Sequence, residues 1–137
     1  MLKHLEPVST RSICTLEVVT TSEGLADLLP IWDQLIRQAD LSHPFMTHEW
    51  IRTWWECFGG DAELCIVVVR ADGEPIAIAP FMRIRERVYG KSSRCLRLLA
   101  NDHTPHCDFI IGSRPDDAYA AIWEFLMNGA DSWDMVV

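Results

Sequence analysis

The sequence lacks the long apolar segments that mark membrane and exported proteins. No apolar run approaches the roughly 20 residues that a membrane-spanning helix needs. Residues 1–12 contain no continuous apolar stretch of the kind found in signal peptides, and we predict that they form a flexible lead-in. We therefore expect a protein that is not exported and has no membrane partner.

An excess of positive charge is also missing. The chain has 12 Lys and Arg against 20 Asp and Glu, which gives a net charge of −8 at pH 7. Nucleic-acid-binding domains usually carry positive charge because they contact phosphates, so we expect no nucleic-acid partner. The P-loop, the G-x-G-x-x-G loop and the Ser-His-Asp triad are absent as well, which leaves no common catalytic motif to assign a function.

The five cysteines show no C-x-x-C spacing, and their number is odd. Both features argue against a disulfide framework and against a standard zinc site. Cys14, Cys65 and Cys95 lie in apolar strand-like segments, where a thiol behaves as a small hydrophobic group. We expect all five cysteines to be reduced and the protein to be cytoplasmic.

Helical periodicity is clear in two segments of a chain long enough for one packed domain, with 137 residues and 49% apolar content. Apolar residues recur at steps of three and four within 22–39 and within 47–58, which predicts two amphipathic helices. Pro30 removes a backbone donor, so it either kinks the first helix or marks its true start. Ser22 and Thr47 are the predicted N-caps.

Two continuous apolar runs, at 64–69 and 76–82, predict strands that are covered on both faces of a sheet. Asp72-Gly73 lies between them and is a strong signal for a hairpin turn. The remaining pattern predicts strands at 13–20, 95–100 and 107–111, a helix that opens at Asp116, and a strand that begins at Trp133. Residues 13–137 are thus predicted to form a mixed α/β fold with a mostly antiparallel sheet flanked by helices.

The segment from Asp134 to Val137 resembles the first half of a buried strand, with no polar tail to shield it. Natural domains seldom end on exposed apolar strand residues. We therefore expect either that the chain is part of a longer protein, with the sheet incomplete at this end, or that the last strand lies at a sheet edge.

The order of these elements resembles the GNAT acyltransferase fold. Over residues 15–137 the chain is similar to the N-terminal part of the CelD/BcsL-type GNAT N-acetyltransferases. The similarity lies in Trp32 and Leu35, Pro44-Phe45, Trp50 and Trp54, Phe58-Gly59, Val67-Val68-Val69, Asp72-Gly73-Glu74, Ile78-Ala79-Pro80, Arg97-Leu98-Leu99, Asp108-Phe109 and Trp133-Asp134. It implies an N-acyltransferase in which a second GNAT-like half follows and holds most of the acetyl-CoA or acyl-CoA.

Proteins of the GNAT fold hold the CoA pyrophosphate on backbone N–H groups at a helix N-terminus, which follows a glycine-rich loop. The corresponding segment here, 111–117, has a single glycine, Gly112, and ends in Asp116 and Asp117. Two carboxylates at that end repel a pyrophosphate. The resemblance therefore implies that this part does not bind CoA in the usual way. It also implies that the general-acid tyrosine lies beyond residue 137, so Tyr119 is not given that role.

The segment from Asn101 to Asp108 contains the greatest density of reactive side chains. Asp102, His103, His106 and Asp108 are candidates for a general base that acts on an amine acceptor, and Asn101 is a candidate substrate contact. Zinc is an unfavoured alternative because the spacing matches no standard framework and a fourth ligand is not evident, so we predict no metal. A structural loop, in which Asp and Asn satisfy turn backbone groups, is the other interpretation.

Aromatic residues cluster on the predicted second helix, at Trp50, Trp54, Trp55 and Phe58. They either pack against the sheet or line an acyl or sugar pocket, and core packing is the commoner role of aromatics. Trp54 and Trp55 are adjacent and cannot share one helix face, so we expect one of them at a pocket rim or an interface. Both are candidate substrate contacts.

Basic residues alternate along the strand that follows Met82. Arg83, Arg85 and Arg87 point to one face and are candidates for binding a phosphate, an acidic partner or the C-terminal half. The alternative is a solvated strand face that charge protects from edge-to-edge pairing.

Two functions follow from these observations. The first is the N-terminal portion of an acyl-CoA-dependent N-acyltransferase, inactive by itself, which acts on a small-molecule acceptor such as a sugar or a polysaccharide precursor. The second is a non-catalytic docking or substrate-recognition module that uses a basic face from Arg83 to Arg97.

Overall fold

The computed structural model describes residues 13–41, 44–101, 107–129 and 133–136, so the lead-in predicted for residues 1–12 lies outside the described residues. The helices are α1 (Ser22–Asp27), α2 (Leu29–Gln38), α3 (His48–Phe58) and α4 (Pro115–Asn128), and a 3-10 turn, Pro44–Met46, precedes α3. The strands are β1 (Cys14–Val19), β2 (Glu63–Ala71), β3 (Glu74–Val88), β4 (Lys91–Leu98), β5 (Ile110–Ile111) and β6 (Met135–Val136). Within these ranges, every helix is too short or too polar to cross a membrane.

The six strands found in the described ranges form one open sheet. Their order is β1-β2-β3-β4-β6, and β5 pairs with β3. All pairings are antiparallel except the one between β4 and β6, which is parallel. The prediction of a mixed α/β fold with a mostly antiparallel sheet is confirmed.

The sheet is covered on both faces, as the continuous apolar runs predicted. Val67 and Val68 are neighbours in β2 that point to opposite sides, and both are 0% exposed. Helices α1 to α3 cover one face, with a core that includes Leu25, Trp32, Leu35, Ile51, Val68 and Ile78. Helix α4 covers the other face, with a core that includes Val67, Ala77, Phe81, Leu96, Ala118 and Ile122.

Strand β3 has two successive partners along one edge. β5 pairs with Ala77 and Ile78, and β4 pairs from Phe81 onward. Pro80 lies between these two pairings, and its carbonyl accepts a hydrogen bond from Leu99 N at 3.0 Å. In an antiparallel ladder the N–H and C=O of one residue face the same neighbouring strand, so the missing N–H of Pro80 falls in the gap between β5 and β4. Proline is therefore tolerated inside a central strand.

Pro30 marks the start of a helix. Helix α1 ends at Asp27, and α2 begins at Leu29 with Pro30 in its first turn. A backbone N–H in that turn has no partner within the helix, so proline loses nothing there. The single long helix of the sequence pattern is therefore two helices.

The helix caps agree with the prediction in one case and differ in the other. Thr47 caps α3, because its Oγ1 accepts a hydrogen bond from Trp50 N at 3.2 Å. The assignment of Ser22 as the cap of α1 was wrong by one residue. Thr21 Oγ1 accepts from Gly24 N at 3.0 Å, and Ser22 is the first helical residue.

Strands β3 and β4 continue past the end of β2 as a two-stranded extension, which we call the β3–β4 arm (residues 84–95). Pairing with β2 stops where Glu63 meets Arg83, so in the described ranges residues 84–88 pair with β4 alone. The turn of the arm, Tyr89-Gly90, has φ values of 52° and 81°, the geometry of a type I′ hairpin. Tyr89 is 100% exposed at the tip.

Strand β6 lies at one end of the described strand order. It pairs with Cys95 and Leu96 of β4. Trp133, which was predicted to begin the strand, precedes it and packs against Gly129 at the end of α4. The edge position matches the second alternative for this segment, and a longer chain remains a prediction.

Candidate functional site

The predicted substrate contacts Trp54 and Asn101 are brought together by the fold. Trp54 lies on the buried side of α3, and its indole Nε1 donates a hydrogen bond to Asn101 Oδ1 at 3.2 Å. Asn101 is half-buried after the end of β4, so this bond joins the helix to the start of the 101–108 segment. Core packing is the main role of Trp54, which is 4% exposed.

Trp54 also lines a small apolar depression on α3. Its volume is about 130 Å³, and it is lined by Trp50, Thr53, Trp54, Cys57 and Phe58. The rings of Trp54 and Phe58 are 5.6 Å apart, and Phe58 is 45% exposed, so the depression opens to solvent. It is smaller than a complete small-ligand site of roughly 300–1,000 Å³ and can hold one ring or a short chain.

Trp55 lies on a different side of α3 from Trp54. It is half-buried and lines a separate depression of about 180 Å³ with Ser22 and Glu23 of α1. The expectation that the two tryptophans cannot share one face is confirmed. Each of them lines a different depression.

The proposed base segment is described only in part. Asp102, His103 and His106 lie outside the described residues. Asp108 is exposed, and its Oδ1 accepts a hydrogen bond from Phe109 N at 2.7 Å. This bond fits the turn-stabilising role that was the alternative interpretation.

The environment of Cys107 favours the neutral thiol over the thiolate. Burial, followed by the negative charge of Asp108, raises the pKa of this thiol from 9.0 to about 12. All five cysteines are free, as predicted. Across the described ranges, no cluster of three or more His, Cys, Asp or Glu side chains is arranged to hold a metal ion.

The arginines of β3 lie on the α4 face of the sheet. Arg83 forms an ion pair with Glu63, and Arg87 donates from Nη1 to Gly90 O at 3.0 Å. Arg85 is exposed and forms no ion pair with any residue in the described ranges. The free positive charge of this strand is therefore centred on Arg85 and Arg87.

Arg97 does not belong to the same face, which corrects the predicted basic face from Arg83 to Arg97. It pairs across the ladder with Met82, whose side chain belongs to the core under α1 to α3. There it forms an ion pair with Glu86, which also points away from the α4 face. Sequence spacing alone does not show this, because the relative facing of two strands depends on the length of the turn between them.

Asp134 forms an ion pair with one of two arginines that face each other at the base of the arm. Arg94 lies directly opposite Arg85 in the β3–β4 ladder, and two like charges in this position repel. Asp134 Oδ1 accepts from Arg94 Nη2 and Asp134 Oδ2 from Arg94 N, both at 2.9 Å. These hydrogen bonds from Arg94, with a smaller contribution from the charge of Arg85, lower the pKa of Asp134 from 3.8 to about 2.

The N-terminus of α4 gives a physical reason for the departure from a pyrophosphate loop. Gly112 packs so closely that a Cβ there would lie 2.5 Å from Leu35 Cδ2, so close packing accounts for this glycine. Arg114 has φ 48° and bonds to Asp72 at 3.3 Å and to Asp117 at 3.2 Å. The acids of the chain itself occupy this helix end, and the residues present do not fit a CoA pyrophosphate.

One apolar cavity was missed by the sequence analysis. It has a volume of about 340 Å³ and lies between the α4 face of the sheet and the C-terminal end of α4. Its lining comprises Leu16, Val18, Cys65, Arg83, Glu124, Phe125, Asn128, Gly129 and Trp133. The one available sequence signal was the pair Leu16 and Val18, which alternate along β1 and are 39% and 43% exposed.

The comparisons with known proteins give no assignment. No protein-family model, no curated protein and no solved structure matches this chain.

Proposed function

We propose that this chain is the acceptor-binding N-terminal portion of an acyl-CoA-dependent N-acyltransferase that resembles the GNAT fold. The observation that carries the proposal is the sheet. Strands β1 to β4 form an antiparallel series, a parallel partner, β6, lies beside β4, and helices cover both faces. This arrangement is what the resemblance to the CelD/BcsL-type enzymes implies.

The site that would receive the acceptor is the depression that Trp54 lines with Trp50 and Phe58. Its aromatic rings suit the apolar face of a sugar ring, and Asn101 enters the proposal through its hydrogen bond with Trp54. In this proposal the chain orients an amine or hydroxyl of the acceptor and removes its proton. Asp102, His103, His106 and Asp108 are the candidate bases.

The acyl donor is assigned to the C-terminal half of the same protein. The support is the α4 N-terminus, where Asp116 and Asp117 occupy the first turn and no glycine-rich loop precedes it. We place the reaction in the cytoplasm, and five free cysteines support this location. We expect no micromolar binding of acetyl-CoA to residues 1–137 in calorimetry, and such binding would contradict this division of roles.

Acceptor binding can be tested by NMR titration with glucosamine and with methyl glucoside. We expect saturable shifts of the Trp54 Nε1–H signal, and weaker binding in Asn101→Ser, which removes the bond to Trp54. Trp55→Phe is the matched control, because Trp55 lies in a different depression. An equal loss of sugar affinity in both variants would overturn the acceptor site. So would the absence of any shift of the Trp54 signal with either sugar.

Transfer itself can be tested with the product of the complete reading frame that encodes this chain. Release of CoA thiol from acetyl-CoA in the presence of an amino sugar measures turnover. We expect Asp108→Asn to lower turnover and to leave the affinity for acetyl-CoA unchanged. A complete protein that shows no release with amines or alcohols would exclude the acyltransferase.

A second candidate is a docking module for an acidic partner, and the β3–β4 arm is the observation that favours it. Arg85 and Arg87 project from the arm on one face, and Tyr89 is 100% exposed at its tip. We expect charge reversal at both arginines to abolish binding of polyglutamate, measured by fluorescence anisotropy at low salt. Arg52→Glu on α3 is the control. An equal loss of polyglutamate binding in this variant would show that net charge alone causes the effect.

A further inference from the structure

Strand β1 lies at the opposite end of the described strand order from β6, and within the described ranges it pairs with β2 alone. Natural proteins usually protect such an edge with proline, lysine or a bulge, because its unpaired backbone groups can bind another strand. β1 contains neither proline nor lysine, and its register with β2 is regular from end to end. This edge is therefore suited to pairing with a further strand.

The hydrogen-bond pattern of β1 shows which residues offer backbone groups at the edge. Asp72 N donates to Ile13 O at 3.0 Å, so Ile13 and Asp72 are a hydrogen-bonded pair of the antiparallel ladder. Such pairs alternate along a strand, so the odd-numbered residues from 15 to 19 also bond to β2. The backbone groups that point away from β2 belong to Cys14, Leu16 and Val18.

The side chains of β1 divide in the same way between the two faces of the sheet. The even-numbered residues lie on the α4 face, where Leu16 and Val18 line the apolar cavity and are exposed. On the other face Glu17 forms an ion pair with Arg70. A strand that pairs with this edge must therefore present apolar side chains on the α4 face and polar ones on the opposite face.

We propose that two copies of this chain associate through β1, with the two strands antiparallel about a two-fold axis that passes between their Leu16 residues. In this register Leu16 meets Leu16 and Cys14 meets Val18, so every outward-pointing backbone group of each strand finds a partner. A two-fold axis perpendicular to the sheet places the α4 faces of both copies on the same side. Thr15 of one copy then lies opposite Glu17 of the other.

Charge and strand length select this register over its two neighbours. An axis at Glu17 would place two carboxylates directly opposite each other, and like charges in that position are destabilising. An axis at Thr15 would carry Val18 past the end of the other β1, which begins at Cys14. The register centred on Leu16 avoids both problems.

The helices leave room for this association. Helix α4 packs against β1, β2 and β3, which places it over β2. With strands about 4.8 Å apart, the β2 strands of the two copies would be about 14 Å apart, enough for two helices about 10 Å across. The residues that line the acceptor depression on α3 take no part, so the dimer does not depend on the acyltransferase assignment.

Sedimentation equilibrium of the 137-residue chain tests the association. We expect the mean mass to rise with concentration from 15.7 kDa towards twice that value, since association follows mass action. A mass that stays at 15.7 kDa up to a chain concentration of about 1 mM would overturn the proposal.

Amide hydrogen exchange, measured by NMR on the same chain, locates the contact. In a monomer the N–H groups of Leu16 and Val18 face solvent, whereas those of Thr15 and Glu17 are bonded to β2. We expect exchange at Leu16 and Val18 to slow as the concentration rises, and exchange at Thr15 and Glu17 to be slow throughout. Slow exchange at Leu16 and Val18 at every concentration would show that another segment of the same chain covers the edge, and it would overturn the dimer.

Leu16→Lys and Thr15→Lys are a matched pair of variants, because each adds one positive charge to β1. Leu16→Lys places two like charges opposite each other at the axis, so we expect the dissociation constant of the dimer to rise at least about tenfold. Thr15→Lys places a lysine opposite Glu17 of the second copy and should leave the dimer intact or tighten it. An unchanged dissociation constant in Leu16→Lys would exclude β1 as the interface, and an equal loss in Thr15→Lys would exclude this register. If Leu16→Lys folds poorly, the exchange measurement on the parent chain decides.

Discussion

Strand β3 is covered on both faces between Ile76 and Met82 but only partly covered from Arg83 to Val88. In the inner half every residue is buried, with β2 on one edge and β5 followed by β4 on the other. In the outer half Arg85 and Arg87 are exposed while their neighbours are half-buried. One continuous strand thus combines a structural half with a half that presents charge to solvent, and the two halves should respond differently to mutation.

The largest difference should appear when one apolar side chain is shortened in each half. Ile78 is 0% exposed in the core under α1 to α3, and Ile78→Ala should lower the free energy of unfolding by about 3–4 kcal/mol because it leaves a cavity. Ile84 is half-buried in the arm, so Ile84→Ala should lower the free energy of unfolding by about 1 kcal/mol. Urea denaturation measures both. Equal losses would contradict the division of the strand.

A smaller loss of stability is expected where the inner half of β3 meets the loop that precedes α4. Gly112 donates its N–H to Ile76 O at 2.8 Å, and a Cβ there would lie 2.6 Å from Gln38 Oε1. Gly112→Ala should therefore cost about 2 kcal/mol through overpacking, while the control Ser113→Ala stays within about 0.5 kcal/mol. If Gly112 served only to let a phosphate approach, the stability of the free protein would not change.

The outer half should show a pH-dependent effect at Asp134. Its pKa is lowered from 3.8 to about 2 by Arg94, so the stabilisation is complete above pH 3.8 and is lost as the pH falls through 2. At neutral pH, Asp134→Asn should lower the melting temperature by less than Gly112→Ala does, since the pair is exposed. The difference from the parent chain should shrink between pH 4 and pH 2. A difference that is constant over this range would exclude the ion pair as its cause.

The change of pattern at Arg83 explains why the sequence predicted so much of the fold. Continuous apolar residues up to Met82 indicate a strand that is buried on both faces. The alternation after Met82 indicates a strand that is buried on one face. Both patterns are local properties of the chain. The turn at Asp72-Gly73 is equally local, and its φ values of 52° and 87° agree with the predicted hairpin.

The candidate sites depend on contacts between distant segments, and the sequence predicted them less well. The cavity joins Leu16, Arg83 and Asn128, which are far apart in the chain, so no window of sequence contains it. Arg97 was assigned to the wrong face because its orientation depends on the register between β3 and β4. The Trp54–Asn101 contact followed from neither residue alone, although both were named as substrate contacts.

The smallest effect expected is a gain in stability at the tip of the arm. Tyr89 has φ 52° and is 100% exposed, so it adopts a left-handed conformation that asparagine adopts more readily, and its ring is fully open to solvent. Tyr89→Asn should therefore stabilise the protein by about 0.5–1 kcal/mol in urea denaturation. Asp72→Asn is the matched control at the other hairpin and should not stabilise, because the Asp72 carboxylate is ion-paired with Arg114.

The same variant also tests why a bulky residue stands at that tip. A strained aromatic that makes no intramolecular contribution fits a residue used for contact with another molecule, because strain of this kind collects at functional sites. If the arm docks an acidic partner, Tyr89→Asn should weaken polyglutamate binding while it raises stability. A variant that is more stable and binds equally well would restrict the contact to Arg85 and Arg87. A less stable variant would contradict the strain assigned to Tyr89 in this turn.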